Sequence, residues 1–156
     1  RRPKAARTGV QKTDKFTFRS SLGTSVVYNW KITNGSSSFY EIQDCMKEFR
    51  EVRPYFYEDY YPLTGSGDIT GDNIWMAYQL YRPSDKSGFV VAFRRDACPD
   101  KTHTVKLSGL DPDAVYSVTN KDTGETVSKS GRELAEGFVL TLDQPRSSLL
   151  LKYQAE

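Results

Sequence analysis

The sequence has almost none of the side chains on which metal sites and nucleophilic catalysis depend. Its 156 residues include one histidine, His103, and two cysteines, Cys45 and Cys98. Zinc sites need a cluster of such ligands, and Ser–His or Cys–His catalysis needs a histidine beside the nucleophile. The sequence therefore predicts no metal and no other cofactor. We expect His103 to be an exposed histidine on a strand.

The two cysteines are too few for a disulfide framework. Cys45 falls on the apolar face of a helix-like pattern, and Cys98 falls in the turn-like residues 96–100. A single disulfide is one interpretation, but the pattern favours two free thiols. The cysteines leave the cellular location undetermined.

Strong charge and long apolar runs are also lacking. The 22 basic residues almost balance the 20 acidic residues, and no basic field of the kind that binds nucleic acid is present. No apolar run approaches the roughly 18 residues of a membrane span. The basic start, residues 1–7, has no apolar segment behind it and is interpreted as a solvated or truncated end. Neither nucleic acid nor a membrane is predicted as a partner.

Aromatic residues, by contrast, are abundant at 13%, and they are concentrated in YFYEDYYPLTGSG, residues 55–67. This segment suggests sugar stacking, a carboxylate pair, or packing between two parts of the protein. Glu58 and Asp59 are a poor pair, because adjacent side chains of an extended chain point to opposite sides. Seam packing is favoured, since each aromatic side chain buries about 150–250 Å².

The first part of the chain predicts strands and one helix. Residues 24–30 are β-branched and aromatic, and their adjacent valines are typical of a strand covered on both faces. Residues 16–19 are a shorter strand candidate. Residues 38–53 predict an amphipathic helix with Ser38 and Glu41 as a capping box, which Pro54 ends near Arg53.

The second half of the sequence changes to a period of two. Short strand-like segments alternate with turn signals, as at Asn120–Gly124, and predict an antiparallel sandwich of two sheets. The predicted strands are residues 75–81, 88–93, 104–107, 115–118, 126–128, 138–142 and 148–153. The fold class is therefore mainly β, an antiparallel β-sandwich preceded by one βα unit.

That order is unusual for a complete protein. One strand and one helix cannot bury both of their faces alone, so we expect them to be the last βα unit of something larger. The predicted division is a βα remnant in residues 1–56, an aromatic joint and loop in residues 57–71, and the β-domain in residues 72–156.

An ordered series of short motifs resembles glycoside hydrolase family thirty-six, the α-galactosidases and their relatives. The resemblance begins near Thr8 and covers nearly the whole chain. Its motifs are FRS at residues 18–20, NW at 29–30, VRPYF at 52–56, DYYPLT at 59–64, WMAYQ at 75–79, RP at 82–83, Gly88, FRR at 93–95, LSGLDP at 107–112 and GREL at 131–134.

The resemblance implies a (β/α)₈ catalytic barrel followed by a C-terminal antiparallel β-domain. Residues 25–30 would then be the last barrel strand and residues 38–53 the last barrel helix. The catalytic aspartates of such enzymes lie on earlier strands, so no catalytic residue is predicted here and the chain alone is expected to be inactive. Because barrel strands end at the active site, Asn29 and Trp30 are predicted to contact substrate.

Arg19 is the third candidate substrate-binding residue, through the planar fork of its guanidinium. A structural ion pair is the favoured alternative for it. The expected partner is an oligosaccharide or glycoside substrate bound through the parent barrel, and a homo-oligomer is a further expectation.

Two rival hypotheses come from other classes of protein. One is a free carbohydrate-binding module with exposed tyrosines, for which the candidates are Tyr78, Tyr81, Tyr116 and Tyr153. Alternation favours placing those rings in the core. The other is a structural domain that binds no ligand.

Overall fold

The computed structural model describes residues 14–26, 39–65 and 71–156. Two antiparallel sheets dominate these residues. The larger sheet has six strands in the order β1-β2-β3-β8-β5-β6, and the smaller one pairs β4 with β7. The strands are β1 (Asp59–Pro62), β2 (Trp75–Arg82), β3 (Ser87–Arg94), β4 (Thr102–Val105), β5 (Val115–Asn120), β6 (Thr126–Ser130), β7 (Phe138–Thr141) and β8 (Ser147–Ala155). The predicted antiparallel, mainly β architecture is confirmed.

The central strands of the large sheet are covered on both faces. All eight residues of β3 are buried, which explains its near-continuous apolar sequence. One face carries Trp75, Val90 and Tyr153 and shares a core with Val105 of β4 and Leu140 of β7. The opposite face carries Leu80, Phe89 and other apolar side chains under a layer of helices.

Helix α1 (Lys15–Ser20) corrects the strand predicted for residues 16–19. The apolar residues Phe16 and Phe18 alternate as in a strand, but Asp14 caps the segment as a helix. Its carboxylate accepts a hydrogen bond from the backbone N–H of Thr17 at 2.8 Å, as an N-cap residue does.

Helix α2 (Phe39–Val52) confirms the predicted amphipathic helix. It ends at Val52, and Pro54 lies within a 3₁₀ helix (Arg53–Tyr57) that follows directly. Ser38, the predicted N-cap, lies outside the described residues.

The strand half of the predicted βα unit is not confirmed. Residues 24–26 form no strand, and residues 27–30 lie outside the described residues. The structure therefore establishes a β-rich chain with a few helices, and the barrel-like βα unit stays a prediction.

Two further elements were not predicted from the sequence. Strand β1 lies within the segment interpreted as a joint, and it pairs with β2 as an edge of the large sheet. Helix α3 (Gly131–Glu136) has a complete capping box between Ser130 and Glu133. The small residue Gly131 is required there, because a Cβ would overlap the backbone of Asp111.

Both cysteines are buried free thiols, which confirms that prediction. His103 is partly buried in β4, and its ring stacks on Trp75 with centroids 5.8 Å apart. None of the helices in the described part of the chain is both long and apolar enough to cross a membrane.

Candidate functional site

Of the three predicted substrate-binding residues, the structure describes Arg19 alone. Asn29 and Trp30 lie outside the described residues, so their predicted role is untested. Arg19 is on α1, beneath the helical layer and against the large sheet. Its surroundings define the candidate site, which is the junction between the helices and the sheet.

Two carboxylates hold the guanidinium of Arg19. Nε and Nη2 donate to the two oxygens of Glu48 on α2, both at 2.8 Å. Nη1 and Nη2 donate to the two oxygens of Asp122, also at 2.8 Å. Nη1 also reaches the backbone oxygen of Ser148 at 3.3 Å. One buried side chain thus joins both helices to the β5–β6 turn and to β8.

The electrostatics of this cluster favour the charged forms. Burial by itself lowers the pKa of Arg19, but the hydrogen bonds to Glu48 and Asp122 outweigh it and raise that pKa further above its ordinary value. Burial likewise raises the pKa of Asp122, yet the hydrogen bonds from Arg19 and Lys15 lower it overall. The side chain of Arg19 has 0% exposure and that of Glu48 has 11%, so solvent screens the pair poorly.

A second ionic contact lies along the same junction. Glu51 on α2 pairs with Lys121 at 2.9 Å and with Lys152 at 3.1 Å. Burial raises the pKa of Glu51, and the hydrogen bonds from the two lysines lower it below its usual range. At the start of α1, Asp14 forms an ion pair with Arg146.

Apolar contacts fill the space between these charges. Phe16 of α1 packs edge-on against Phe93, with ring centroids 5.5 Å apart, and Tyr55 packs edge-on against Phe89 at 4.9 Å. The hydroxyl of Tyr55 also hydrogen-bonds with Ser87 at 2.8 Å. The helices are therefore fixed to the sheet by packing as well as by charge.

The predicted aromatic seam is only partly present. Tyr55 is buried and Phe56 is partly buried against the sheet, which confirms the prediction for these two residues. Tyr57 and Tyr60 are 67% and 58% exposed in this chain, so the described residues do not bury them and their place in the seam stays a prediction.

Four side chains at one side of the large sheet form a group that we call the aromatic edge. It consists of Phe56, Tyr60, Met76 and Tyr78. The ring centroids of Tyr60 and Tyr78 are 5.5 Å apart, and those of Phe56 and Tyr78 are 6.2 Å apart. Met76 is 39% exposed on the same face of β2.

The tyrosines proposed for a free glycan-binding module are mostly in the core. Tyr81 is 4% exposed, and Tyr116 and Tyr153 are both 0% exposed. Tyr153 donates to the backbone oxygen of Leu80 and accepts from Gln79, so its hydroxyl is used within the protein. The alternative that these three rings are exposed is wrong, and the favoured placement in the core is confirmed.

No catalytic constellation is found in the described part of the chain. Glu58 and Asp59 are exposed and adjacent, and Asp59 is the first residue of β1. Among residues 14–26, 39–65 and 71–156, no three metal-ligating side chains are grouped to hold an ion. The junction can fix two parts of a protein together, and it supplies no acid–base pair.

Solved α-galactosidases contain the same fold. The family thirty-six enzyme of Geobacillus stearothermophilus matches 83% of this chain with a TM-score of 0.62 and 19% identity. The α-galactosidase of Lactobacillus brevis matches 83% with a TM-score of 0.61 and 16% identity. The galactosidase domain of an α-galactosidase–sucrose kinase matches 76% with a TM-score of 0.58 and 21% identity.

The chain corresponds to a portion of these proteins, because it spans only 16 to 18% of their lengths. No protein-family model and no curated protein matches the sequence. In fold, this chain thus resembles one part of the family thirty-six α-galactosidases.

Proposed function

We propose that this chain is the C-terminal part of an α-galactosidase-like glycoside hydrolase, where it closes and stabilises the catalytic barrel. The observation that carries the proposal is the match of 83% of the chain to about one sixth of such enzymes. The barrel would hydrolyse α-galactosides with retention of configuration. The chain alone would be inactive, because its described residues provide no facing carboxylate pair of the kind that retaining enzymes use.

The junction supports this role. Arg19, Glu48 and Asp122 fix the helices to the sheet through charge-assisted bonds. If α2 is the last barrel helix, the same bonds fix the β-domain to the barrel. Arg19 then acts as a structural residue, and its guanidinium has its donors committed to protein oxygens.

The aromatic edge supports it as well. Tyr60 and Met76 expose apolar area beside the helical layer, and exposed apolar patches commonly mark interaction surfaces. In the proposed parent this edge would pack against preceding barrel elements. Asn29 and Trp30, at the end of the proposed last barrel strand, would contact the sugar.

The alternative of a stand-alone carbohydrate-binding or structural module has less support. Three of its four candidate sugar-binding tyrosines are buried.

The size of the native product tests the proposal. An antibody against this chain would detect, in lysate of the source, a product several times larger than 17.7 kDa. That product, once immunopurified, should hydrolyse a chromogenic α-galactoside and not the β-anomer. A native product of 17.7 kDa would contradict the proposal.

A further inference from the structure

A second surface has positive charge that no described carboxylate pairs with. An open pocket of about 400 Å³ lies at the end of α2 and the start of the 3₁₀ helix. It is lined by Arg50, Arg53, Pro54 and Tyr57. These residues follow a spacing of three, one and three, which places them on one side of a helical segment.

The two arginines of this pocket differ from the other described arginines. Within the described ranges, neither Arg50 nor Arg53 forms an ion pair with a carboxylate. The other described arginines all have acceptors: Arg19, Arg82, Arg95, Arg132 and Arg146 each pair with an aspartate or glutamate. Arg94 donates to backbone oxygens of Cys98, Pro99, Leu142 and Asp143.

Arg53 is positioned without using its terminal nitrogens. Its Nε donates to the backbone oxygen of Thr24 at 3.1 Å, and its guanidinium lies 6.0 Å from the ring centroid of Phe49. In the described part of the structure, no acceptor pairs with the two terminal nitrogens of Arg53. Arg50 is exposed one turn earlier on the same side.

The fourth lining residue gives the pocket a flat apolar wall. Tyr57 is 67% exposed, the most exposed of the large hydrophobic side chains described. A ring of this kind stacks on the apolar face of a sugar or of an aromatic ligand. Pro54 at the start of the 3₁₀ helix limits the backbone freedom between the arginines and the ring.

We propose that this pocket binds a monosaccharide that carries an oxyanion, either a phosphate or a carboxylate. Guanidinium forks match the paired oxygens of both groups, and the sugar ring would stack on Tyr57. The choice of a sugar ring rests on the proposed function. The requirement for an oxyanion rests on the two arginines alone.

Titration of the 156-residue chain followed by two-dimensional NMR tests the proposal. The probes are galactose 6-phosphate, galacturonate, inorganic phosphate and galactose. We expect saturable shifts of the amides of residues 50–57 with galactose 6-phosphate or galacturonate, and which of the two binds identifies the source of the oxyanion. The same titration of the double variant Arg50→Gln/Arg53→Gln should show binding weaker by at least about tenfold. Binding by the unaltered chain should weaken at high salt.

Matched variants separate this result from unfolding and from general charge effects. Arg132→Gln removes an exposed arginine elsewhere, at the start of α3, and should bind like the unaltered chain. Arg50→Gln alone breaks no described bond and should keep the fold, which circular dichroism checks. Tyr57→Ser should weaken the sugar phosphate and leave inorganic phosphate unchanged.

Four results would overturn the proposal. They are no binding of either charged sugar at about 10 mM, roughly ten times a millimolar Kd; equal binding of galactose; equal binding of inorganic phosphate; or unchanged binding by the double variant. The assay needs no barrel and no catalysis, so its outcome is independent of the native product's size.

Discussion

Replacing Arg19 is the most direct test of how the helices are held to the sheet. In Arg19→Met the carboxylates of Glu48 and Asp122 lose four hydrogen bonds of 2.8 Å, and Asp122 keeps only the more exposed Lys15 as a cationic partner. Breaking a buried pair by removing one partner typically costs about 3–5 kcal/mol. Glu48 and Asp122 are 11% and 26% exposed and gain some hydration, so we expect about 3 kcal/mol.

Two further variants provide reference values for this loss of stability. Arg19→Lys keeps the charge but loses the planar fork that bonds both carboxylates, so about half of the loss is expected. Arg132→Ala breaks the pair with Asp113, whose side chains are 64% and 86% exposed, and should cost less than about 1 kcal/mol.

Urea unfolding monitored by circular dichroism and by tryptophan fluorescence measures these free energies. Tryptophan fluorescence reports Trp30 and Trp75, of which Trp75 is buried in the core between the sheets, whereas the helical signal comes mainly from α2, the longest described helix. An early loss of helix before the tryptophan transition would show that Arg19 holds the helical layer in particular. If Arg19→Met were no more destabilising than Arg132→Ala, the cluster would contribute little and the reasoning would be refuted.

Three other predictions concern acid, packing and a buried hydroxyl. Folding lowers the pKa values of Asp14, Glu51 and Asp122. Their ionised forms therefore stabilise the fold fully above the unfolded pKa values of 3.8 and 4.5, and this stabilisation is lost as pH falls through the lower folded values. The free energy of unfolding should accordingly be smaller at pH 3 than at pH 7. Gly88→Ala would place a Cβ against the Leu80 oxygen and the Tyr153 ring and should cost about 1–3 kcal/mol or more, whereas Gly65→Ala meets nothing within 4 Å and should leave the melting temperature unchanged. Tyr153→Phe leaves the buried amide of Gln79 short of a partner and should cost about 1–3 kcal/mol, and an unchanged urea midpoint relative to Tyr60→Phe would contradict this.

The strands of the second half were predictable because each of them has a local signal. Val90 and Val91 belong to an apolar run bounded by turn residues, and the register of β2 on β3 follows from the short turn between them. The turn at Asn120–Gly124 was recognised from the same chemistry. Its Gly124 has a φ of +79°, which favours glycine.

Local patterns failed where two signals competed or where one was overlooked. Phe16 and Phe18 alternate like a strand, but the Asp14 cap determined the helix. The Ser130–Glu133 capping box was visible in the sequence and marks α3 by the same rule that predicted α2. The core placement of the tyrosines was favoured but not fixed by the sequence, because alternation separates two faces of a strand without showing which of them is covered.

The candidate site was harder to predict from the sequence, because its contacts join distant parts of the chain. Arg19 could be recognised as a planar donor, but neither Glu48 nor Asp122 is near it in sequence. No periodicity predicts such pairs, and they follow from how the sheet orders its strands.

The same separations along the sequence have a consequence for the synthesis of the protein on the ribosome. Arg19 bonds to Ser148, which is 129 positions later in the chain. A ribosome adds about 5–20 residues per second, so Ser148 is synthesised roughly 6–26 s after Arg19. Throughout that interval the charge of Arg19 lacks its contact with β8, although Phe18 can already pack against Cys45 and Phe49 of α2. Slow codons placed before residue 148 would prolong this interval, and chaperone dependence should rise with them.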